Sequence, residues 1–517
     1  MPRTSYPDKI AQLDELKNQF APDTAPRLER TLDQLSRKNL DDTDSLFRYH
    51  EILLFLRAYP QSASIVRLAE KELRRFPERI ERLRELEVDL APLQHPDVSG
   101  IAGTSVTDNF SFLIVRWLLQ QHASELAIEW DWFENENALA RVWPRLMPLL
   151  EEDAFVEANV PYREWLRAAR RGRSEIAWLI EAIDALPRSD DDKTELYDSQ
   201  QLYVRWTPRF AATRTGMRLK KSRVFYHREP LIPRRDVDLA KELAQPSPPL
   251  RKLSLTEGEL VLDMAREAST IRYRELYGFT HGDPEHVYHA ELGRGVEIFL
   301  FGLPAERRLP LRACHALTIY KNGVPIGYFE GLSLFERMET GFNLYYTFRE
   351  GETAWLYARI LNVLHHFTGV TAFSLDPYQI GHENEEGIAS GAFWFYRKLG
   401  FRPTQKDALQ LALKEEAKLA TRKGYRTPAA TLRKLAKSPM IFELDQQRKG
   451  DWDGFHVRNI GFKMQRDSVL SSLIPEEIAQ GKKGAEEVGY LRLMQKNPRL
   501  REAILKLGRG FTRMNTD

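Results

Sequence analysis

The sequence predicts an α+β protein: an all-α N-terminal domain, then a mixed β-sheet flanked by helices, then a helical C-terminal extension. Three observations carry that expectation. Apolar residues recur at helical spacing through residue 200, strand-like runs alternate with helical stripes from about residue 254, and a basic, proline-bearing stretch separates the two.

The first region, residues 1–200, reads as helical nearly throughout, an all-α domain. Asp44-Ser45 opens a segment whose apolar residues Phe47, Leu53, Leu54 and Leu56 stop at Tyr59-Pro60, where the proline disfavours helix in the residue before it. Ser62 to Phe76 carries Ile65, Leu68, Leu73 and Phe76 at helical spacing. Similar stripes run through Phe110–Leu119, Leu139–Leu150, Tyr162–Ala169 and Ile176–Leu186, with no fixed period that would mark a solenoid.

Residues 201–253 read as a basic segment and a linker. Arg205 to Arg235 holds eight arginines and two lysines against one acid, Glu229, with Trp206, Phe210, Phe225 and Tyr226 interleaved. Such a stretch can track a nucleic-acid backbone while aromatics stack on bases. The favoured reading is an extended arm whose cations pair with acids elsewhere on the protein. Gln245-Pro246-Ser247-Pro248-Pro249 follows as the linker, because prolines favour extended backbone and remove donors.

The third region spans residues 254–445. Ser254-Leu255-Thr256-Glu257 fits a capping box ahead of a helix carrying Leu260, Met264, Ala268 and Ile271. Val296–Leu300 and Ala316–Tyr320 read as strands. Asn322-Gly323 then makes a hairpin turn into Ile326–Leu332. Phe342 to Phe348 alternates like a strand, and Thr353 to Phe367 is helical, with Leu356, Ile360, Val363 and Phe367 in register. Thr371–Leu375 is a buried strand. Asn384-Glu385-Glu386 caps a last helix that ends at Gly400. Asp407–Ala420 and Ala429–Lys437 read as helices before the strand Met440–Leu444, and residues 446–517 as a helical extension.

Composition narrows the function. At 517 residues, 42% hydrophobic and 29% charged, the chain is long enough for two or three ordinary globular domains. A net charge of +2 confines any polyanion binding to a local patch. Cys314 is the single cysteine, which rules out an intramolecular disulfide and fits a reducing compartment. Residues 1–13 lack the apolar run of a secretory signal, and Phe110 to Leu119, interrupted by Arg116, is too short to cross a bilayer. The expectation is a cytoplasmic protein with no membrane partner.

The run Gly391-Ala392-Phe393-Trp394-Phe395-Tyr396-Arg397-Lys398-Leu399-Gly400-Phe401 ends a helix in Gly-Phe, with a tyrosine one turn before the glycine. Placed after helix, strand, hairpin, strand, loop, helix and strand, it resembles the acyl-CoA-binding core of the GNAT superfamily of N-acetyltransferases. The resemblance covers residues from about 254 to 445. It implies an N-acyltransferase with acetyl-CoA or another acyl-CoA as co-substrate and an amine-bearing acceptor; the placement of the histidines separately argues against a metal. It also implies that Phe342–Phe348 splays from Thr371–Leu375 and offers unpaired backbone groups to the pantetheine arm, much as a peptide adds to a sheet edge.

The implied pyrophosphate loop is Phe348-Arg349-Glu350-Gly351-Glu352-Thr353-Ala354, at the start of a helix where free N–H groups attract anions. Tyr346, Phe348, Arg349, Gly351, Thr353 and Ala354 are the expected cofactor contacts. Gly351 matches the family's glycine, Ala354 comes one place late, and Phe348 and Thr353 depart from the pattern. Glu350 and Glu352 would put negative charge beside a phosphate, with Arg349 to offset one of them. Tyr396 is implied as the acid that protonates the leaving thiolate, a task a neutral phenol suits. Ala389 stands where the family usually has asparagine, and Ala392 matches its small residue.

Glu330 is the leading candidate for a general base, with Glu336 behind it. Asn343 and Tyr345 are candidates for the acceptor side. His281, His286 and His289 lie in what reads as a loop, His365 and His366 point apart on a helix, and no zinc spacing occurs. Cys314 reads as a small buried residue. Two other functions stay open: a GNAT-like binding or regulatory module without catalysis, and aminoacyl transfer from a charged tRNA with Arg205–Arg235 on the RNA.

Overall fold

The computed structural model describes residues 6–309, 311–455, 457 and 486–509. The described chain is mixed α and β, and it divides into two compact units. Of the described residues, the first takes in 6–222, 226–228 and 263–280, and the second takes in the others.

The first unit is built on α1 (Tyr6–Leu16), α2 (Thr24–Ser36), α3 (Thr43–Ala58), α4 (Ala63–Leu73), α5 (Phe76–Glu85), α6 (Phe112–His122), α7 (Glu136–Val142), α8 (Leu149–Glu157), α9 (Tyr162–Ala169), α10 (Glu175–Asp184) and α11 (Asp190–Asp198). Local chemistry sets several boundaries. Asp42 accepts the Ser45 N–H at 2.7 Å and Ser62 accepts the Ile65 N–H at 3.2 Å, each satisfying an orphan donor of a first turn. Pro144 and Pro148 split the stripe expected as one helix over Leu139–Leu150 into α7 and α8. The region is not purely helical: β1 (Val106–Asp108), β2 (Leu126–Ile128) and β3 (Val204–Trp206) form a small antiparallel sheet with β3 in the middle. Trp143, Trp165 and Trp206 are fully buried around it.

The basic stretch begins in this unit, where four of its arginines are spent on ion pairs. Arg205 meets Glu129 at 2.8 Å, Arg209 meets Glu125 at 3.5 Å, Arg218 meets Glu70 at 2.7 Å, and buried Arg214 grips both oxygens of Glu51 at 2.9 and 2.8 Å.

The second unit carries α12 (Leu239–Leu243), β4 (Arg251–Lys252), and the first half of α13 (Leu255–Thr270). The expected capping box is present: Ser254 N–H donates to Glu257 at 3.0 Å, and Glu257 N–H donates to Ser254 Oγ at 3.4 Å. After α14 (Tyr277–Thr280), in the first unit, come β5 (Asp283–Gly293), β6 (Val296–Gly302), β7 (Ala313–Lys321), β8 (Val324–Leu334) and β9 (Arg337–Leu344). Then follow α15 (Thr353–Thr368), β10 (Ala372–Leu375), α16 (Glu385–Ser390), α17 (Ala392–Arg397), β11 (Arg402–Pro403), α18 (Lys406–Thr421), α19 (Ala429–Leu435) and β12 (Met440–Glu443). Helices α20 (Glu487–Gln495) and α21 (Pro498–Arg509) come last. Of the expected extension 446–517, residues 456, 458–485 and 510–517 lie outside the described residues.

These strands make one sheet in the order β11-β12-β10-β9-β8-β7-β6-β5-β4. Among the described pairings only β9–β10 is parallel. Asn322 and Gly323 take left-handed φ values of 50° and 79°, as their hairpin requires.

Three expectations are corrected. The segment holding His286 and His289 is strand β5, not a loop; it turns at Arg294 and Gly295, both left-handed, into β6. The strand expected over Phe342–Phe348 is Arg337–Leu344, and Tyr346–Phe348 is a 3₁₀ turn. Tyr345 N–H makes the last bond to the neighbouring strand, to Ile326 O at 3.0 Å, and the chain then turns back on itself through Phe348 N–H to Tyr345 O at 2.9 Å. The last helix is two short helices, because Gly391 at φ 69° ends one and starts the other.

Candidate functional site

The parallel ladder between β9 and β10 is three pairs long: Arg337 with Ala372, Met338 with Phe373, and Glu339 with Ser374. Beyond Glu339 the two strands part. Residues Thr340 to Leu344 of β9 pair only with β8, while Leu375 pairs with Met440 of β12. Beyond Glu339, therefore, no strand among the described residues pairs with the second edge of β9, although Leu344 O at its end accepts from Arg349 Nε. Gly341, Phe342 and Asn343 are half-exposed there. A Cβ on Gly341 would meet nothing closer than Gln379 Nε2 at 3.6 Å, so the glycine leaves room along the edge.

Side chains alternate about that edge. Thr340 and Phe342 face α15: the Phe342 and Tyr357 rings are 5.1 Å apart, and Thr340 Oγ1 lies 2.9 Å from the Tyr357 hydroxyl. Thr340 in turn donates to Ser374 O at 3.3 Å, bridging the strands just where they diverge. Tyr396 packs edge-on against Tyr357 at 5.5 Å and against Phe401 at 5.7 Å. Only 5% of Tyr396 is exposed, and its hydroxyl makes no hydrogen bond among the described residues. Burial pushes that phenol well above the ordinary tyrosine value, so it stays protonated.

Glu330 stands on the other face of the sheet. Its neighbour Phe329 points to Tyr357, with ring centroids 6.5 Å apart, so Glu330 points away. It pairs with Gly341 across β8–β9. Burial raises its carboxyl above the usual range. Asn343, on the same face, donates to the Tyr328 hydroxyl at 3.1 Å, and Tyr345 lies 6.4 Å from Tyr328, ring to ring. Glu336 is committed elsewhere: it is gripped by Arg501 of α21 and accepts the Trp452 indole N–H at 3.2 Å.

The loop after β9 leads straight into α15. Tyr346 is 66% exposed, with the Arg349 guanidinium 5.7 Å over its ring. Phe348 and Ala354 are buried, so only their backbone is available to a ligand. Gly351 N–H is taken by Phe348 O at 3.0 Å, and Thr353 Oγ1 donates to Arg349 O at 2.9 Å. The first-turn N–H groups of α15, beginning at Thr353, have no acceptor within the helix. Arg349 donates from Nε to Leu344 O at 3.1 Å and pairs with Glu386 of α16.

Glu352 corrects another expectation. It does not set charge beside the loop but turns inward, 2% exposed as a side chain, to meet Arg294 at 2.5 Å and Lys321 at 3.5 Å. Ile232 N–H also donates to it at 3.2 Å. Lys321 donates to Arg294 O at 2.6 Å, and burial pushes its ammonium down to about 7 despite the opposing pull of Glu352. Sequence reasoning missed Tyr357, Thr340, Arg294 and Lys321. The alternation Thr340–Phe342 ahead of Gly351 could have signalled the first pair; no local pattern signals the distant cations.

The arrangement offers an open strand edge, a helix start at its foot, a protonated phenol on one side and a carboxylate on the other. No helix among the described residues is long and apolar enough to cross a membrane. The chain matches no protein-family model, no curated protein and no solved structure.

Proposed function

We propose that the second unit is a GNAT-like acyl-CoA-dependent N-acyltransferase acting on an amine. The observation that carries this reading is the three-pair parallel ladder between β9 and β10, which opens beyond Glu339 directly ahead of α15. The order β11-β12-β10-β9-β8-β7, with that single parallel step, supports the same fold.

The donor's pantetheine arm would add to the open edge of β9 by backbone hydrogen bonds, and its diphosphate would sit at the α15 start. The inward turn of Glu352 removes a carboxylate from that place. The acceptor amine approaches from the face of Glu330, which takes its proton. The amine nitrogen bonds to the thioester carbonyl carbon, and a β9 N–H stabilises the oxyanion. The C–S bond then breaks, its electron pair leaves on sulfur, and Tyr396 supplies the proton. A phenol held neutral by burial suits a donor, and a carboxylate made more basic by burial suits an acceptor.

Calorimetric titration with acetyl-CoA, followed by transfer of labelled acetyl to a panel of amines, tests the proposal. Saturable binding with transfer to at least one amine supports it. No heat at millimolar acetyl-CoA overturns it.

A further inference from the structure

The chain interrupts its closing strand pair β11–β12 with a helical insertion, residues 406–437, and this insertion concentrates positive charge. It holds nine basic and three acidic residues, in a chain whose net charge is +2. Two of the acids are neutralised: Glu415 by Lys418 at 2.6 Å and Glu416 by Arg397 at 2.7 Å. By contrast, Lys414, Arg422, Lys423, Arg426, Lys434 and Lys437 are all exposed and make no ion pair among the described residues.

The loop joining α18 to α19 reads Arg422-Lys423-Gly424-Tyr425-Arg426. Tyr425 is fixed within it: its hydroxyl donates to Glu415 at 2.7 Å, and Lys418 Nζ lies 5.9 Å from its ring centre. A held aromatic flanked in its loop by the exposed cations Arg422, Lys423 and Arg426 is a surface suited to unstacked bases and their phosphates together. A lipid surface would call for an apolar face. The apolar positions Ala408, Ala412, Leu432 and Leu435 are buried, and Leu413 is the one exposed large hydrophobic residue of the insertion.

We propose that this insertion docks an unpaired stretch of nucleic acid, with phosphates on the α18–α19 cations and a base stacked on Tyr425. The inference is independent of the acyl-transfer reading. It places nucleic-acid contact here rather than on Arg205 and Arg209, whose charges are already met by Glu129 and Glu125.

Fluorescence polarisation of a labelled single-stranded RNA of mixed sequence against the full chain tests it, from about 50 to about 200 mM salt. The affinity should fall linearly on a log–log plot. The variant Lys414→Gln/Arg422→Gln/Lys423→Gln/Arg426→Gln should cut that slope by about 2 to 3, and Lys423→Gln alone by about 0.7. Tyr425→Leu should weaken binding about tenfold with the slope unchanged. Arg205→Gln/Arg209→Gln should bind like the parent. The proposal is overturned by absence of binding at low salt, or by unchanged binding in the Lys423 and Tyr425 variants. It is equally overturned by loss of binding in the Arg205/Arg209 variant, by tighter binding of the same strand annealed to its complement, or by competition from phosphatidylserine vesicles alone.

Discussion

Tyr396 rests edge-on against Tyr357 at a centroid distance of 5.5 Å, and the Tyr357 hydroxyl is tied to Thr340 at 2.9 Å, one residue past the last β9–β10 pair. The phenol proposed as the acid is thus held beside the point where the two strands part. Its position follows from packing on α15, while its protonation follows from burial. These two causes can be separated by mutation.

Tyr396→Phe keeps the ring and deletes the proton. Acyl transfer should fall about 100-fold, the range of a lost general acid. Acyl-CoA affinity should change less than about twofold, because the hydroxyl acts only as the C–S bond breaks. Rates and calorimetric affinities measured on the same preparation check this. Unchanged transfer would remove Tyr396 from the chemistry.

Glu330→Gln should separate activity from stability. Burial raises the carboxyl of the folded chain above its unfolded value, so folding takes up a proton between those two values. Stability therefore declines as pH rises through that window, and glutamine escapes the decline. The variant should gain stability relative to the parent at about pH 7 more than at about pH 4, while losing about 100-fold in transfer rate. Urea midpoints at the two pH values give the first quantity.

Lys321 carries the opposite sign. Its folded value of about 7 lies below that of an exposed lysine, so the unfolded chain binds the extra proton. Stability should rise with pH from about 7 toward 10, and this rise should flatten in Lys321→Met. Glu352→Ala leaves buried Lys321 and half-buried Arg294 without their carboxylate and should cost about 3 kcal/mol. It should also weaken acyl-CoA binding, since Glu352 is the residue before α15.

Gly216→Ala probes the first unit. A Cβ there would stand 1.9 Å from Phe210 O, a backbone atom that can move only with the chain. The expected cost is about 3 kcal/mol, read as a lower thermal transition. Acyl-CoA binding measured below that transition should be unaffected.

What the sequence disclosed was local. Asn322-Gly323, the Ser254/Glu257 cap and Gly400 each act within a few residues, and each was readable for that reason. The helix Thr353–Thr368 declared itself by periodicity. Where β9 ends was not readable, because Phe342, Leu344, Tyr346 and Phe348 keep alternating after the backbone has turned at Tyr345. Strand β5 was hidden by Gly282, Asp283 and Pro284, which have loop composition, and by histidines and glutamates on its faces. The fate of Glu352 depended on Arg294 and Lys321, two residues distant in sequence that only the folded sheet brings together. Candidate site residues could be named from spacing alone, and the groups that pack against them could not.

Amide hydrogen exchange of the full chain with and without coenzyme A tests the central claim most directly. The account expects added coenzyme A to slow exchange at Phe342 to Leu344 and at Thr353 to Trp355, and to leave β5 and β6 unchanged. Identical exchange at those amides under saturating coenzyme A would contradict it.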